Sequence, residues 1–222
     1  MSIFSKEFLL FLNSYTQDFF NPKIELEQYS TPTTILEDFF SINFNFNGKK
    51  VLDMGSGLGT LSFCVAWLGA KTIIGIESDL RALKKARVTE KMFNEKLIET
   101  QNKNRITKSL PNFFWINTHL EFFILKKLKN FIDIVIMNPP FGTRRKGIDF
   151  VFLNRAFSLS CPILTIHKES PNLINDIKNL SAKNKFKINW SIKIDFPIKK
   201  SFKFHTTKLY YVKTILFFLI PE

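Results

Sequence analysis

The sequence is poor in the residues that staple or metallate a fold. Cysteine occurs twice in 222 residues, at Cys64 and Cys161, both in apolar surroundings and without metal-ligand spacing. That excludes a disulfide scaffold and predicts two buried free thiols in a protein kept under reducing conditions. Three scattered histidines complete no ligand set, so no metal is expected. Long apolar runs are missing too. Phe8–Leu12 and Tyr211–Ile220 fall well short of the roughly 20 residues of a membrane span. The N-terminus has neither the basic start nor the small-residue cleavage site of a signal peptide. The expected location is intracellular, in the nucleus and/or the cytoplasm.

Acidic residues are also scarce: 19 against 32 basic ones, for a net charge of +13 and a pI of about 9.7. Such an excess points to a polyanionic partner such as nucleic acid. Enrichment in Lys, Phe, Ile and Asn matches the coding bias of an AT-rich genome, which competes with a binding face as the source of the charge. A hydrophobic content of 45% is enough for a sizeable core. The length suits one α/β domain over residues 1–222, with residues 1–25 as a helical extension packed on it through the amphipathic stretch Phe4–Phe20.

Glycine is rare as well, with eight residues, yet three of them fall in Gly55-Ser56-Gly57-Leu58-Gly59. A strand, Lys50–Met54, leads into this turn and a helix, Thr60–Leu68, leaves it. Glycines let a backbone approach a ligand where a Cβ would clash. The next strand, Thr72–Ile76, ends in Glu77, 18 residues after Gly59. A carboxylate there can accept from the two hydroxyls of a ribose. The pair of features suggests a nucleoside cofactor. A second signal follows about eighty residues on. The apolar run Ile132–Met137 reads as a buried strand, and Asn138-Pro139-Pro140-Phe141 stops it, because two prolines cannot donate to a ladder. An ordinary turn-forming strand exit is the lesser alternative for these residues taken alone; together with the glycine loop they mark a ligand site at strand tips.

Elsewhere, Thr31 is a possible N-cap before Pro32 and a helical pattern over Ile35–Phe40. Asp79–Lys96 is a charged helix, and Asn102–Lys108 a basic loop. Asn112–Asn117, with Phe113-Phe114-Trp115-Ile116, is a third strand at the sheet edge, a liability unless covered. Arg144-Arg145-Lys146 follows the Asn138 motif closely, which favours phosphate contacts over a merely solvated loop. Phe150–Leu159 reads as a helix, Pro162–His167 as a strand with a structural His167, Lys168–Ala182 as a helix, and Lys187–Ile194 and Tyr211–Ile220 as strands. Ser201–Lys208 between the last two interleaves aromatic and basic residues, either a polar hairpin loop or a base and phosphate contact.

The spacing Asp53, Gly55, Gly57, Gly59 resembles the cofactor loop of class I S-adenosylmethionine-dependent methyltransferases, and Asn-Pro-Pro-Phe resembles the catalytic motif of their amino-methylating members. Leu26-Glu27-Gln28-Tyr29, Asp53–Gly59, Asn138–Thr143, Asp149 with Phe152-Leu153, His167-Lys168 and Phe202-Lys203-Phe204-His205 stand in one order. That order is similar to the methyltransferase-like-five type of small-subunit rRNA adenine N6-methyltransferase, over most of residues 24–220. The resemblance implies a seven-stranded, Rossmann-like α/β sheet with helices on both faces, S-adenosylmethionine, a flipped rRNA adenine, and a small zinc-binding activator protein as partner, expected at the edge strand Phe113–Ile116. It puts cofactor contacts at Gln28, Thr31, Asp53, Gly55, Gly57, Glu77 and Ser78, with Asn117 where the family often has an Asp. Asn138, Pro139, Pro140 and Phe141 become the catalytic motif: Asn138 and the Pro139 carbonyl accept from the amine, and Phe141 stacks on the base. Arg144, Arg145, Lys146, Lys203, Phe204 and His205 are the RNA candidates. The Glu90–Lys108 region is longer than the family pattern. Guanine-N2 and protein-glutamine methyltransferases carry related motifs, and a non-catalytic RNA-binding scaffold is the alternative from another class.

Overall fold

The computed structural model describes residues 2–17, 19, 22–103, 109–199 and 209–222. Its strands are β1 (Lys50–Met54), β2 (Thr72–Glu77), β3 (Asn112–Asn117), β4 (Ile134–Met137), β5 (Ile163–Lys168), β6 (Phe186–Lys199) and β7 (Leu209–Pro221). They form one sheet in the order β3-β2-β1-β4-β5-β7-β6. The first five strands run parallel, while β7 is antiparallel to both β5 and β6. The chain moves outward from β1 through β2 to β3, then returns to place β4 on the other side of β1. That reversal makes the crevice at the C-terminal ends of β1 and β4 a topological switch point.

Period-two alternation divides the sheet into two buried faces. In β1, Val51 belongs to one core, while Leu52 and Met54 belong to the other. The first face is covered by α1 (Lys6–Thr16), the short α2 (Leu36–Phe39), α3 (Thr60–Trp67) and α4 (Leu80–Lys103). The second is covered by α5 (Ile148–Phe157) and α6 (Leu173–Lys183). Helix α1 is fixed by the Ser5 hydroxyl, which accepts from the Phe8 amide at 3.2 Å. Its stripe Phe8, Leu12, Thr16 is buried, and Phe8 stacks on Trp67 with ring centroids 4.4 Å apart. Both cysteines are buried free thiols.

Several boundaries differ from the sequence reading. Helix α4 runs on to Lys103, past Lys96, because Leu97 continues the apolar stripe onto the core and Lys96 pairs with Glu7 of α1 at 3.3 Å. Helix α6 starts at Leu173, since Lys168 completes β5 and Pro171 disfavours a helical residue before it. Strand β6 continues through Pro197 to Lys199, which an edge strand allows. Thr31 is not an N-cap: the turn Thr33–Ile35 starts from Pro32 without a side-chain cap, and the Thr31 hydroxyl is engaged with Asn138.

The two edges are treated differently. Strand β6 carries Lys187, Lys193, Pro197 and a bulge between Ile188 and Trp190, all of which obstruct a further strand. Strand β3 carries no charge and no proline. Trp115 anchors it from within. Its indole donates to Glu90 of α4 at 2.7 Å. The ring lies so close over β2 that a Cβ on Gly75 would stand 2.5 Å from it.

Candidate active site at the switch point

At the tips of β1 and β4 lies a cavity of about 160 Å³ whose wall includes Gly55, Gly57, Glu77, Ser78, Asn138 and Pro140. Gln28 and Arg145 also reach it. A smaller adjoining space brings Asp53 and Thr31 up to Asn138. The fold thus gathers most of the candidates from segments more than a hundred residues apart in sequence.

Glu77 ends β2, and both its oxygens are engaged. One accepts from the Gly57 amide at 3.0 Å; the other accepts from the Asp79 amide at 2.8 Å and the Ser78 hydroxyl at 3.2 Å. The carboxylate therefore braces the glycine loop and retains acceptor capacity toward the cavity. Gly57 has φ +54°, and a Cβ there would come within 3.2 Å of the Phe19 ring. Gly59 serves a different purpose: a Cβ there would meet Phe63 at 2.9 Å and Trp115 at 3.0 Å, so aromatic packing demands this glycine.

Asp53 is fully buried and accepts from the Ser62 hydroxyl at 2.7 Å. Burial pushes its carboxyl up to about 7, with the charge of Glu77 adding to the rise and the Ser62 bond opposing it. The native state then holds a proton between pH about 4 and 7 that the unfolded chain, with an Asp near 3.9, does not. This stabilisation is complete below pH 4 and is lost as pH rises through 7. Relative to Asp53→Asn, the wild-type melting temperature is expected to fall by several degrees between pH 5 and 8. Parallel pH profiles for the two proteins would contradict it.

Gln28 faces the cavity, but its amide is committed to the wall. It donates to Asp79 at 2.9 Å and accepts from the Lys23 amide at 2.7 Å. Burial alone would raise the Asp79 carboxyl; hydrogen bonds from Arg81 and Gln28 outweigh it and hold the group well below the usual range. Asn117 does not line the cavity. Its amide donates to the Glu77 and Ser78 carbonyls, both at 3.0 Å, and the residues after it, Thr118 to Glu121, form the wall instead.

The Asn138 motif is held by residues 27–31. The Asn138 amide nitrogen donates to the Thr31 hydroxyl at 3.0 Å, while its side-chain oxygen is buried and has no partner among the described residues. The Tyr29 hydroxyl donates to the Pro139 carbonyl at 3.2 Å. Phe141 is only 8% exposed and packs between Tyr29 and Phe196, at 5.0 and 5.4 Å. The stacking surface expected from the sequence is thus turned into the core, filling the gap beneath residues 27–31. Beyond the motif, the Arg144 amide donates to Glu27 at 2.7 Å, and Arg145 pairs with Glu121 at 2.5 Å. Arg144 and Lys146 point outward. Lys203, Phe204 and His205 lie outside the described residues. His167 is buried between Asp149, 2.9 Å from its Nδ1, and Thr165, 3.0 Å from its Nε2, in keeping with a structural residue.

Sequence reasoning missed Phe19, Tyr29 as a hydrogen-bond donor, Phe152 and Glu121. All reach the cavity through tertiary packing; Tyr29 and Phe152 stood inside quoted motifs but carried no assigned role.

The chain is similar to known methyltransferases. The family model of the ribosomal protein L11 methyltransferase (PrmA) matches residues 32–112. The chain is 33% identical to the rRNA N(6)-adenosine-methyltransferase METTL5 of Danio rerio, covering 86% of each chain. It is 31% identical to Mettl5 of Drosophila melanogaster, covering 86% of this chain and 84% of that protein. A crystal structure of a proposed RNA methyltransferase from Pyrococcus horikoshii superposes with a TM-score of 0.77 at 30% identity, covering 97% of both chains.

Proposed function

The chain belongs to the METTL5 family of rRNA N6-adenosine-methyltransferases, and from that membership we propose that it methylates the N6 amine of one adenosine in small-subunit rRNA, using S-adenosylmethionine. The observation that carries this reading is the side-chain oxygen of Asn138, a buried acceptor without a partner among the described residues, at the tip of β4. Burying an unpaired acceptor costs about 1–3 kcal/mol. A site that bears this cost is matched to a donor, and an exocyclic amine is one.

The residues fit the cofactor. Glu77 would hold the ribose hydroxyls, the Gly55–Gly57 turn gives close backbone approach, and Asp53 lies beneath. When bound, the cofactor supplies an electrophilic sulfonium methyl group. The chain's own work is on the amine. Adenine N6 is a poor nucleophile because its lone pair is delocalised into the ring. Asn138 accepts from one N–H. The Pro139 carbonyl, with Tyr29 on one lone pair, offers the other lone pair to the second. Both bonds favour a pyramidal nitrogen with its lone pair toward the methyl group. Orientation supplies much of the remaining acceleration. No general base is needed before transfer, because methylation acidifies the amine.

The base must leave its stack to reach this crevice, so a loop or single-stranded site is the expected substrate. Arg144, Arg145 and Lys146 stand at the rim for phosphates. Replacing all three with Ala is expected to lower RNA affinity and flatten its salt dependence, leaving cofactor affinity unchanged. The deciding assay incubates rRNA with labelled methyl donor and identifies the labelled nucleoside. N6-methyladenosine is expected; label in N2-methylguanosine or in a glutamine side chain rejects the adenine assignment. Activity on rRNA fits an intracellular protein of nucleus or cytoplasm.

A small zinc-binding activator is the proposed partner, added as a strand along β3. Support comes from the uncharged edge described above and from apolar exposure beside it: Phe114 is 54% exposed, and Phe122 and Ile124, just after the strand, 77% and 61%. Expressed alone, the protein is expected to aggregate or lose activity. Phe114→Glu should abolish co-purification with the activator and leave the circular dichroism spectrum unchanged. An unaccompanied, soluble and fully active monomer would contradict the partnership.

A further inference from the structure

We infer that residues 27–31 act as a strap that sets the acceptor geometry of the catalytic motif, with Thr31 fixing the Asn138 amide so that its oxygen faces the cavity. The inference rests on the methyltransferase reading above and deepens it. Thr31, implied by resemblance to contact the cofactor, becomes a positioning residue that acts through Asn138.

The two ends of an asparagine amide are nearly isosteric, so shape alone does not choose between them. The outcome matters for the chemistry: oxygen toward the cavity accepts from an amine, whereas nitrogen toward it opposes donor to donor. In the structure the Asn138 nitrogen donates to the Thr31 hydroxyl at 3.0 Å, and the oxygen is buried and, among the described residues, without a partner. The reverse orientation would leave both amide protons buried and unpaired. Orphaned donors are rarer in native structures than under-satisfied acceptors. Thr31 is itself held. It is buried, and its carbonyl accepts from Gln17 at 3.1 Å, just after α1. The neighbouring bonds make the strap a unit. Tyr29 holds the Pro139 carbonyl, and Glu27 holds the Arg144 amide. Three points of the 138–144 segment are thus tied to Glu27, Tyr29 and Thr31, and two of those ties are made by the residues that supply the acceptors of the amine.

The test uses the full chain, co-expressed with its activator where one is required for solubility. Thr31→Val keeps the shape and removes the hydroxyl. Its single-turnover methyl-transfer rate is expected to fall about threefold to tenfold, the loss of one hydrogen bond, with half-saturating cofactor and RNA concentrations unchanged. Thr31→Ser is expected to restore the rate. In an Asn138→Ala background, Thr31→Val should cost nothing further, because the residue it orients is gone. In 15N-labelled protein, the Asn138 side-chain amide resonance should shift and exchange faster in Thr31→Val. Tyr29→Phe, which keeps the ring on Phe141, is the second variant, with a similar fall expected at an unchanged melting temperature. An equal loss from Thr31→Val in both backgrounds overturns the inference. So does a raised cofactor requirement with an unchanged rate, and so does Tyr29→Phe at or above the wild-type rate. Failure of the parent reading shows separately, in a wild-type protein that yields no N6-methyladenosine or an Asn138→Ala variant that turns over normally.

Discussion

Asn138→Ala is expected to lower turnover by about 10²–10³ while leaving cofactor binding nearly intact, the scale of losing one preorganised contact to the reacting centre. The split follows from the location of the side chain. Asn138 directly follows β4 and is a neighbour of Gly55 and Gly57 across the crevice. Among the described residues, its side chain bonds Thr31 and not the glycine loop. The loop is braced by Glu77, which the substitution leaves untouched. Calorimetry should therefore return a wild-type cofactor affinity and single-turnover assays a slow methyl transfer. Asn138→Asp makes a sharper variant. It keeps an acceptor but loses the donor to Thr31, so it should stay slower than wild type. A wild-type rate in the Ala variant would remove the amine-activating role.

Glu77→Ala is expected to weaken S-adenosylmethionine binding by about 1.5–3 kcal/mol, the range for a hydrogen bond to a charged group. The upper end is favoured here because the carboxylate serves the site twice. It offers its remaining lone pairs to the cavity, and it ties down the amides of Gly57 and Asp79. Without it two backbone donors at the cavity lose their acceptor, and the turn around Gly57 loses its brace. Glu77→Gln separates the two effects. Its oxygen can still accept from one amide, but its nitrogen cannot accept at all. Its affinity should lie between those of wild type and Glu77→Ala. Unchanged affinity in the Ala variant would take Glu77 out of the cofactor site.

Much of this site was legible in the sequence where chemistry and local pattern coincide. Strand β1, the glycine turn and β2 with its terminal Glu77 could be placed because apolar runs of strand length are punctuated by residues with special backbone demands. Two prolines ended β4 in the same way. The edge position of β3 followed from topology. What stayed hidden depends on contacts between distant segments. No periodicity announces that Tyr29 bonds Pro139, 110 residues away, or that Phe141 is walled in by Tyr29 and Phe196. Gly57 and Gly59 look alike in sequence, yet one borders the cavity and the other makes room for Phe63 and Trp115. Asn117 sits in register with Glu77, as expected of a strand-end residue, but spends its amide on the neighbouring backbone. The additional length of α4 goes with Leu97 packing on the core and Lys96 pairing with Glu7 of α1, which helix propensity alone does not encode.

Trp115 joins two parts of the molecule that the functional reading keeps separate. It belongs to the edge strand, and it lies against Gly59, the last residue of the glycine turn, and against Gly75 in the strand that ends in Glu77. Its indole is pinned to α4 through Glu90, leaving little room for the ring to move without moving its neighbours. A strand added along β3 and a ligand seated on the turn would therefore both bear on this side chain. Thermodynamic linkage would make such a relation mutual: whatever factor an added strand applied to ligand affinity, the ligand would apply to the affinity of that strand.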